Sequence, residues 1–146
     1  MDAISFTVEG NSVPKGRPRA CRTARGVKMF TPAKTEAYES LVRLSAAREM
    51  IGKKPFEQPV SLKVSVFLEI PKSWSKKKKE DAESGKIMPA SKPDLDNIIK
   101  ALTDRMNEII YNDDSQIIDI QAKKRYGTSP CVIISVCDYK MFCSHV

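Results

Sequence analysis

Histidine is nearly missing from this chain: His145, one residue from the C-terminus, is the only one in 146 residues. Chemistry that relies on imidazole as a general base or nucleophile partner therefore has almost nothing to draw on. Cysteine is sparse too, at Cys21, Cys131, Cys137 and Cys143, with no CxxC pair. Structural zinc takes about four nitrogen or sulfur ligands at short recurring spacings, and none of those spacings occurs. Two of the cysteines alternate with apolar residues, which reads as reduced thiols in a strand. No run of about 18 apolar residues is present, so no membrane span is expected. The opening MDAISFTVEG carries acids and alternates like a strand, unlike a signal peptide, and a cytoplasmic location is expected. Aromatic residues are only 7% of the chain and are not grouped as stacking platforms, which weighs against an RNA-binding module.

What the chain does have is a balanced core composition and an excess of positive charge. Apolar residues make up 41% and charged residues 29%, enough for one folded domain spanning residues 1–146 and too little chain for two. The formal net charge is +7, which suits a polyanionic partner and says nothing about fold.

Hydrophobic periodicity outlines the elements. Ile4, Phe6 and Val8 alternate over Ala3–Glu9 and predict a half-buried strand. Residues 10–28 then form a basic loop or arm without periodicity, holding Lys15, Arg17, Arg19, Arg22, Arg25 and Lys28. Thr31-Pro32 opens a helix to about Met50, with Tyr38, Leu41 and Val42 in its buried stripe. From Val60 to Ile70 comes the longest clean alternation, a second strand ended by Pro71. Residues 73–84 make a short helix carrying Lys76, Lys77, Lys78 and Lys79, as a solvated face or as DNA contacts. Residues 94–110 read as an amphipathic helix with Leu95, Ile98, Ile99, Leu102, Met106, Ile109 and Ile110 on one side. Asp96, Asn97, Lys100 and Asp104 gather on the other. A turn at 111–115 leads to strands over 116–126 and Cys131–Asp138, whose short connection suits a hairpin. The expected fold is α+β (mixed α/β), a single domain in which a mixed sheet of about four strands carries packed helices.

Acids concentrate in KPDLDNIIK and NDDSQI, giving Asp94, Asp96, Asp113 and Asp114, with Lys100 one helical turn beyond Asp96. Carboxylates suit a hard cation such as magnesium, which activates water and stabilises charge on a phosphodiester, while a lysine neutralises phosphate. Each residue also has an ordinary role. Asp94 is a favoured N-cap, Asp96 and Lys100 form a surface i,i+4 pair, and Asp113-Asp114 are common turn residues. Together in a basic protein they repel one another unless a cation joins them. An EF-hand is excluded, because counting from Asp94 the sixth residue is not glycine and the twelfth is not glutamate.

The stretch PDLDNIIKALTDRMNEIIYNDDSQI, residues 93–117, resembles the signature of RusA-type Holliday junction resolvases: PDxDNxxK, an aspartate four residues later, then DDSQ. PKGRPR at 14–19, Phe30-Thr31-Pro32, and Lys123 and Lys124 fit the same layout. The resemblance implies a homodimeric, magnesium-dependent crossover junction endodeoxyribonuclease, with manganese as a substitute and no organic cofactor. It places metal ligation on Asp94, Asp96 and Asp114, with Asp113 the alternative for the third position, and catalysis on these acids and Lys100. DNA contacts are expected from Lys15, Arg17, Arg19 and Arg22 of the basic arm, from Lys76 and Lys77 of the lysine run, and from Lys123 and Lys124. A twofold dimer suits a four-way junction, which needs two matched nicks.

Two other readings start from the same residues. A non-catalytic branched-DNA-binding protein of phage or prophage origin would use the basic surface and never cut. A nucleotidyltransferase with a DxD pair would need a glycine- or serine-bearing phosphate loop ahead of the acids, and residues 85–93 do not supply one.

Overall fold

The computed structural model describes residues 3–12, 19–23, 26–30 and 33–140, with the strands at 19–23 and 27–30 described by their backbone alone. In chain order these are β1 (Ala3–Glu9), β2 (Arg19–Thr23), β3 (Gly26–Phe30), α1 (Ala33–Glu49), β4 (Val60–Glu69), α2 (Lys76–Glu83), α3 (Leu95–Met106), a 3-10 turn (Asp114–Gln116), β5 (Ile117–Gly127) and β6 (Cys131–Asp138). The main sheet has the order β1-β6-β4-β5. β4 pairs parallel with β5 and antiparallel with β6, and β6 pairs antiparallel with β1. The expected α+β fold with a four-stranded mixed sheet is therefore borne out.

One face of the sheet holds the core. Val60, Leu62, Val64 and Val66 of β4 meet Ile4, Phe6 and Val8 of β1 and Val132, Ile134 and Val136 of β6. Tyr38, Val42 and Ala46 of α1 and Ile98, Leu102 and Met106 of α3 close over them. Each large aliphatic side chain so buried contributes roughly 1.5–3 kcal/mol. Cys131 and Cys137 are free thiols on β6, as their alternation implied, and burial pushes both thiols up.

Four expectations are corrected. The first concerns residues 10–28, where β2 and β3 pair antiparallel from Arg19↔Phe30 to Thr23↔Gly26. Gly26 turns with φ +118°, a conformation that favours glycine. Sequence periodicity misses this ribbon because its five-residue strands are too short for a pattern such as Val27-Lys28-Met29 to stand out, and backbone pairing defines it. Lys15, Arg17 and Thr31-Pro32 lie outside the described residues, as do Cys143 and His145.

The second correction is that β5 and β6 do not form a hairpin, because β4 lies between them. The short connection crosses the end of β4, and Gly127 lies so close to Phe67 that an added Cβ would stand 3.0 Å from its ring. Insertion of the most apolar strand at the centre buries it on both edges, which a direct β5–β6 pairing would forgo.

Thirdly, α3 stops at Met106. Glu108 takes φ +67°, its amide bonds the Tyr111 carbonyl at 2.7 Å, and Ile110 accepts from the Phe56 amide at 2.8 Å. Core packing against the segment ahead of β4 thus overrides the continuing apolar pattern. Lastly, Leu41 is 38% exposed, and its expected place in the buried stripe of α1 goes to Glu39, whose carboxylate pairs with Arg105 of α3. Such burial of a charge is tolerated because it is paired.

Candidate active site

The two faces of α3 set the site. Ile98, Leu102 and Met106 have no exposed surface, which fixes the roll of the helix against the sheet. Asp96, Asn97 and Lys100 consequently face outward and are exposed. At the head of the helix Asp94 occupies the N-cap, with φ −70° and ψ 130°, and its carbonyl accepts from the Ile98 amide at 3.2 Å. An N-cap aspartate ordinarily uses its carboxylate on a first-turn amide. Here that side-chain bond is not made. By contrast, Ser75 at the head of α2 does accept from the Lys78 amide, at 3.2 Å.

Lys124 holds the approach to Asp94. Its Nζ donates to the Ser91 carbonyl at 2.6 Å and the Pro93 carbonyl at 2.8 Å. Lys123, the next residue of β5, is exposed and belongs to the opposite side of the sheet, since neighbouring strand residues alternate.

The second acidic segment is organised around Tyr111, which is fully buried. Its hydroxyl donates to the Thr103 carbonyl at 2.7 Å. Burial, followed by the charges of Asp114, Asp104 and Asp113, pushes this phenol far above its ordinary range. Asp113 and Gln116 form a capping box: the Ser115 amide donates to Asp113 Oδ2 at 3.1 Å and the Asp113 amide to Gln116 Oε1 at 2.9 Å. Hydrogen bonding from Ser115, its side chain first and then its amide, keeps the Asp113 carboxyl below the usual carboxylate range. Gln116 Nε2 also donates to the carbonyls of Phe56 at 2.8 Å and Gln58 at 3.0 Å. Asp113 is thus engaged in the turn, and Asp114 beside it is half-buried with no part in that cap.

Sequence reasoning missed Tyr111 and Gln116 as the anchors of this turn. The signal for Gln116 was present, because Asp-x-x-Gln is a capping-box spacing. Tyr111 carried no such sign.

The acids fall into two places. Asp94 and Asp96 stand at the head of α3, while Asp104, Asp113 and Asp114 act electrostatically on Tyr111. Nine helical residues, Leu95 to Thr103, lie between Asp94 and Asp104, about 15 Å of rise from one to the other. Among the described residues no three His, Cys, Asp or Glu side chains lie close enough together to hold an ion. The oxygen donors suit a hard divalent cation in kind, but a closed three-carboxylate site is not formed.

Basic residues lie on several elements. Lys76 and Lys77 are exposed on α2, and Lys78 sits 4.1 Å above the ring of Trp74, which meets Tyr126 of β5 edge-on at 5.3 Å. Arg19 and Arg22 belong to the β2 backbone.

Residues 9–137 of the chain match the family model described as Endodeoxyribonuclease RusA. The chain belongs to the RusA endodeoxyribonuclease family. The resemblance drawn from PDLDNIIK and NDDSQI is thereby borne out, and membership indicates a nuclease acting on DNA. A similar protein is YqaN of Bacillus subtilis (strain 168), described as uncharacterized, which is 41% identical over 138 residues, covering 93% of this chain and 96% of its own. Among the described residues no helix is long and apolar enough to cross a membrane.

Proposed function

We propose that this RusA-family chain is a magnesium-dependent, structure-selective endonuclease that resolves four-way DNA junctions by paired symmetric nicks in recombination and repair. It acts as a homodimer, in the cytoplasm, with manganese able to replace magnesium. The observation that carries this reading is the uncommitted carboxylate of Asp94 at the head of α3, the helix whose outer face exposes Asp96 and Lys100. Asp94 and Asp96, with Asp114 brought to them from the turn after α3, are the proposed metal ligands, and the ion once bound would supply a Lewis acid for phosphate charge. Lys100 adds a fixed cation aimed at the charge that develops on the phosphate oxygens. Lys15, Arg17, Arg19, Arg22, Lys76, Lys77 and Lys123 are proposed to bind backbone phosphates, which they do without reading sequence.

One observation favours a second reading. The acids at the two ends of α3 are not gathered into one group, as a protein that binds branched DNA without cutting it would allow. Incubation of the purified protein with a synthetic four-way junction, a fork analogue and linear duplex, each with magnesium, manganese or chelator, separates the two. Nicks placed symmetrically in the junction and only with metal are expected. Junction binding without cleavage under every metal condition would establish the second reading instead.

A further inference from the structure

Lys124 reaches from the sheet to the head of α3, where Asp94 and Asp96 lie. It belongs to β5, yet its ammonium meets the backbone beside the N-terminus of α3, the positive end of that helix dipole. Two of its three donors go to the carbonyls of Ser91 and Pro93, at 2.6 and 2.8 Å. Pro93 is bonded directly to Asp94, so the second of these hydrogen bonds ends one peptide unit from the N-cap. The residue is only partly exposed, whereas its neighbour Lys123 is exposed on the other face of the sheet. Charge-assisted bonds this short are about twice as strong as neutral ones, and two of them converge on a loop of three residues.

We propose that Lys124 is a positioning residue: by fastening the Ser91–Pro93 carbonyls to β5, it sets where the Asp94 carboxylate stands. It acts through the backbone and does not bind phosphate. Asp94 makes no side-chain cap bond of its own, so its placement depends on what holds the peptide before it. The apolar stripe of α3, Leu95 included, holds the helix on the C-terminal side of Asp94, and the Lys124 bonds hold the peptide on its N-terminal side. A fixed strand is a stiffer reference than that loop, and a misplacement near 1 Å costs about a hundredfold in rate. The inference rests on the nuclease reading for what Asp94 does, and on geometry alone for what Lys124 does.

The test compares wild type with Lys124→Met and Lys124→Arg in three measurements: amide hydrogen exchange, four-way-junction binding in chelator across a salt series, and single-turnover cleavage with magnesium. In Lys124→Met the Ile98 amide, which bonds the Asp94 carbonyl, exchanges at least about tenfold faster while the sheet is unchanged. Cleavage falls about a hundredfold, junction affinity stays within about twofold of wild type, and the salt slope is unchanged. Lys124→Arg recovers most of the protection and the rate, because a guanidinium also presents paired donors. Unchanged exchange in Lys124→Met overturns the proposal. So does a fall in affinity with a salt slope shallower by about 0.9, the mark of a DNA phosphate that the protein no longer neutralises. If wild type cuts no DNA, the nuclease reading fails, and the exchange measurement still decides the tether.

Discussion

The hydroxyl of Tyr111 donates to the carbonyl of Thr103 at 2.7 Å, bolting the turn that bears Asp113 and Asp114 to the last turns of α3. Its charge state therefore bears directly on folding. Burial raises the phenol pKa of Tyr111, and that of Tyr38 is pushed up to about 12, by burial first and then by Cys131.

A raised folded-state pKa means that stability is complete below the unfolded value, near 10, and is lost as pH rises through the folded one. Urea midpoints should thus hold up to about pH 10 and decline beyond it. The Tyr38 share is lost by about pH 12, and the Tyr111 share keeps falling above that. Tyr38→Phe should flatten the profile between pH 10 and 12. Tyr111→Phe leaves the Thr103 carbonyl unpaired and should cost about 1–2 kcal/mol at neutral pH, lowering Tm by roughly 2–8 °C. An alkaline profile identical in both variants and wild type would contradict this account.

Asp113 and Asp114 should separate cleanly in function. Asp113 holds the capping box, so Asp113→Ala should lower Tm and leave cleavage within about threefold of wild type. Asp114→Asn, like Asp94→Asn or Asp96→Asn, should abolish detectable nicking with Tm and junction binding preserved. Binding should even tighten, since a carboxylate near phosphate is repulsive. The deciding measurement is cleavage beside thermal unfolding for all four variants; full nicking by Asp114→Asn with none by Asp113→Ala would exchange the two assignments.

Lys100 is exposed on α3 and lies one turn from Asp96. As a cation aimed at the transition state, its loss should slow single-turnover cleavage about a hundredfold under saturating protein. Lys100→Arg should not restore the rate, because a planar fork does not replace a compact ammonium. A Lys100→Ala rate within about threefold of wild type would reduce Lys100 to a surface partner of Asp96.

Arg17, Arg19 and Arg22 precede or belong to β2. Their replacement should weaken binding to every branched DNA alike and flatten the plot of log affinity against log salt by about 0.9 for each phosphate that goes unneutralised. Equal affinity and equal slope in the triple variant, by fluorescence anisotropy at several salt concentrations, would leave the ribbon without a DNA role.

The sequence by itself determined where the buried faces are. Alternation in β1 and β4 and the stripe Ile98, Leu102, Met106 of α3 record burial locally, because strand and helix repeat with periods of 2 and 3.6 residues. From that stripe the exposed position of Asp96 and Lys100 followed, as did family membership from PDLDNIIK and NDDSQI. Tertiary structure alone decided which elements meet. β4 separates β5 from β6, although the short connection after Gly127 suggested a hairpin, because pairing is settled by burial of the most apolar strand across the sheet. Hydrogen bonds between residues far apart in the chain likewise decided which side chains are engaged. Asp113 is tied by Ser115 within its own turn, but Lys124 is tied to Ser91 and Pro93, 33 and 31 residues away. No local pattern encodes such a partner, since the donor and acceptor become neighbours only when α3 docks beside β5.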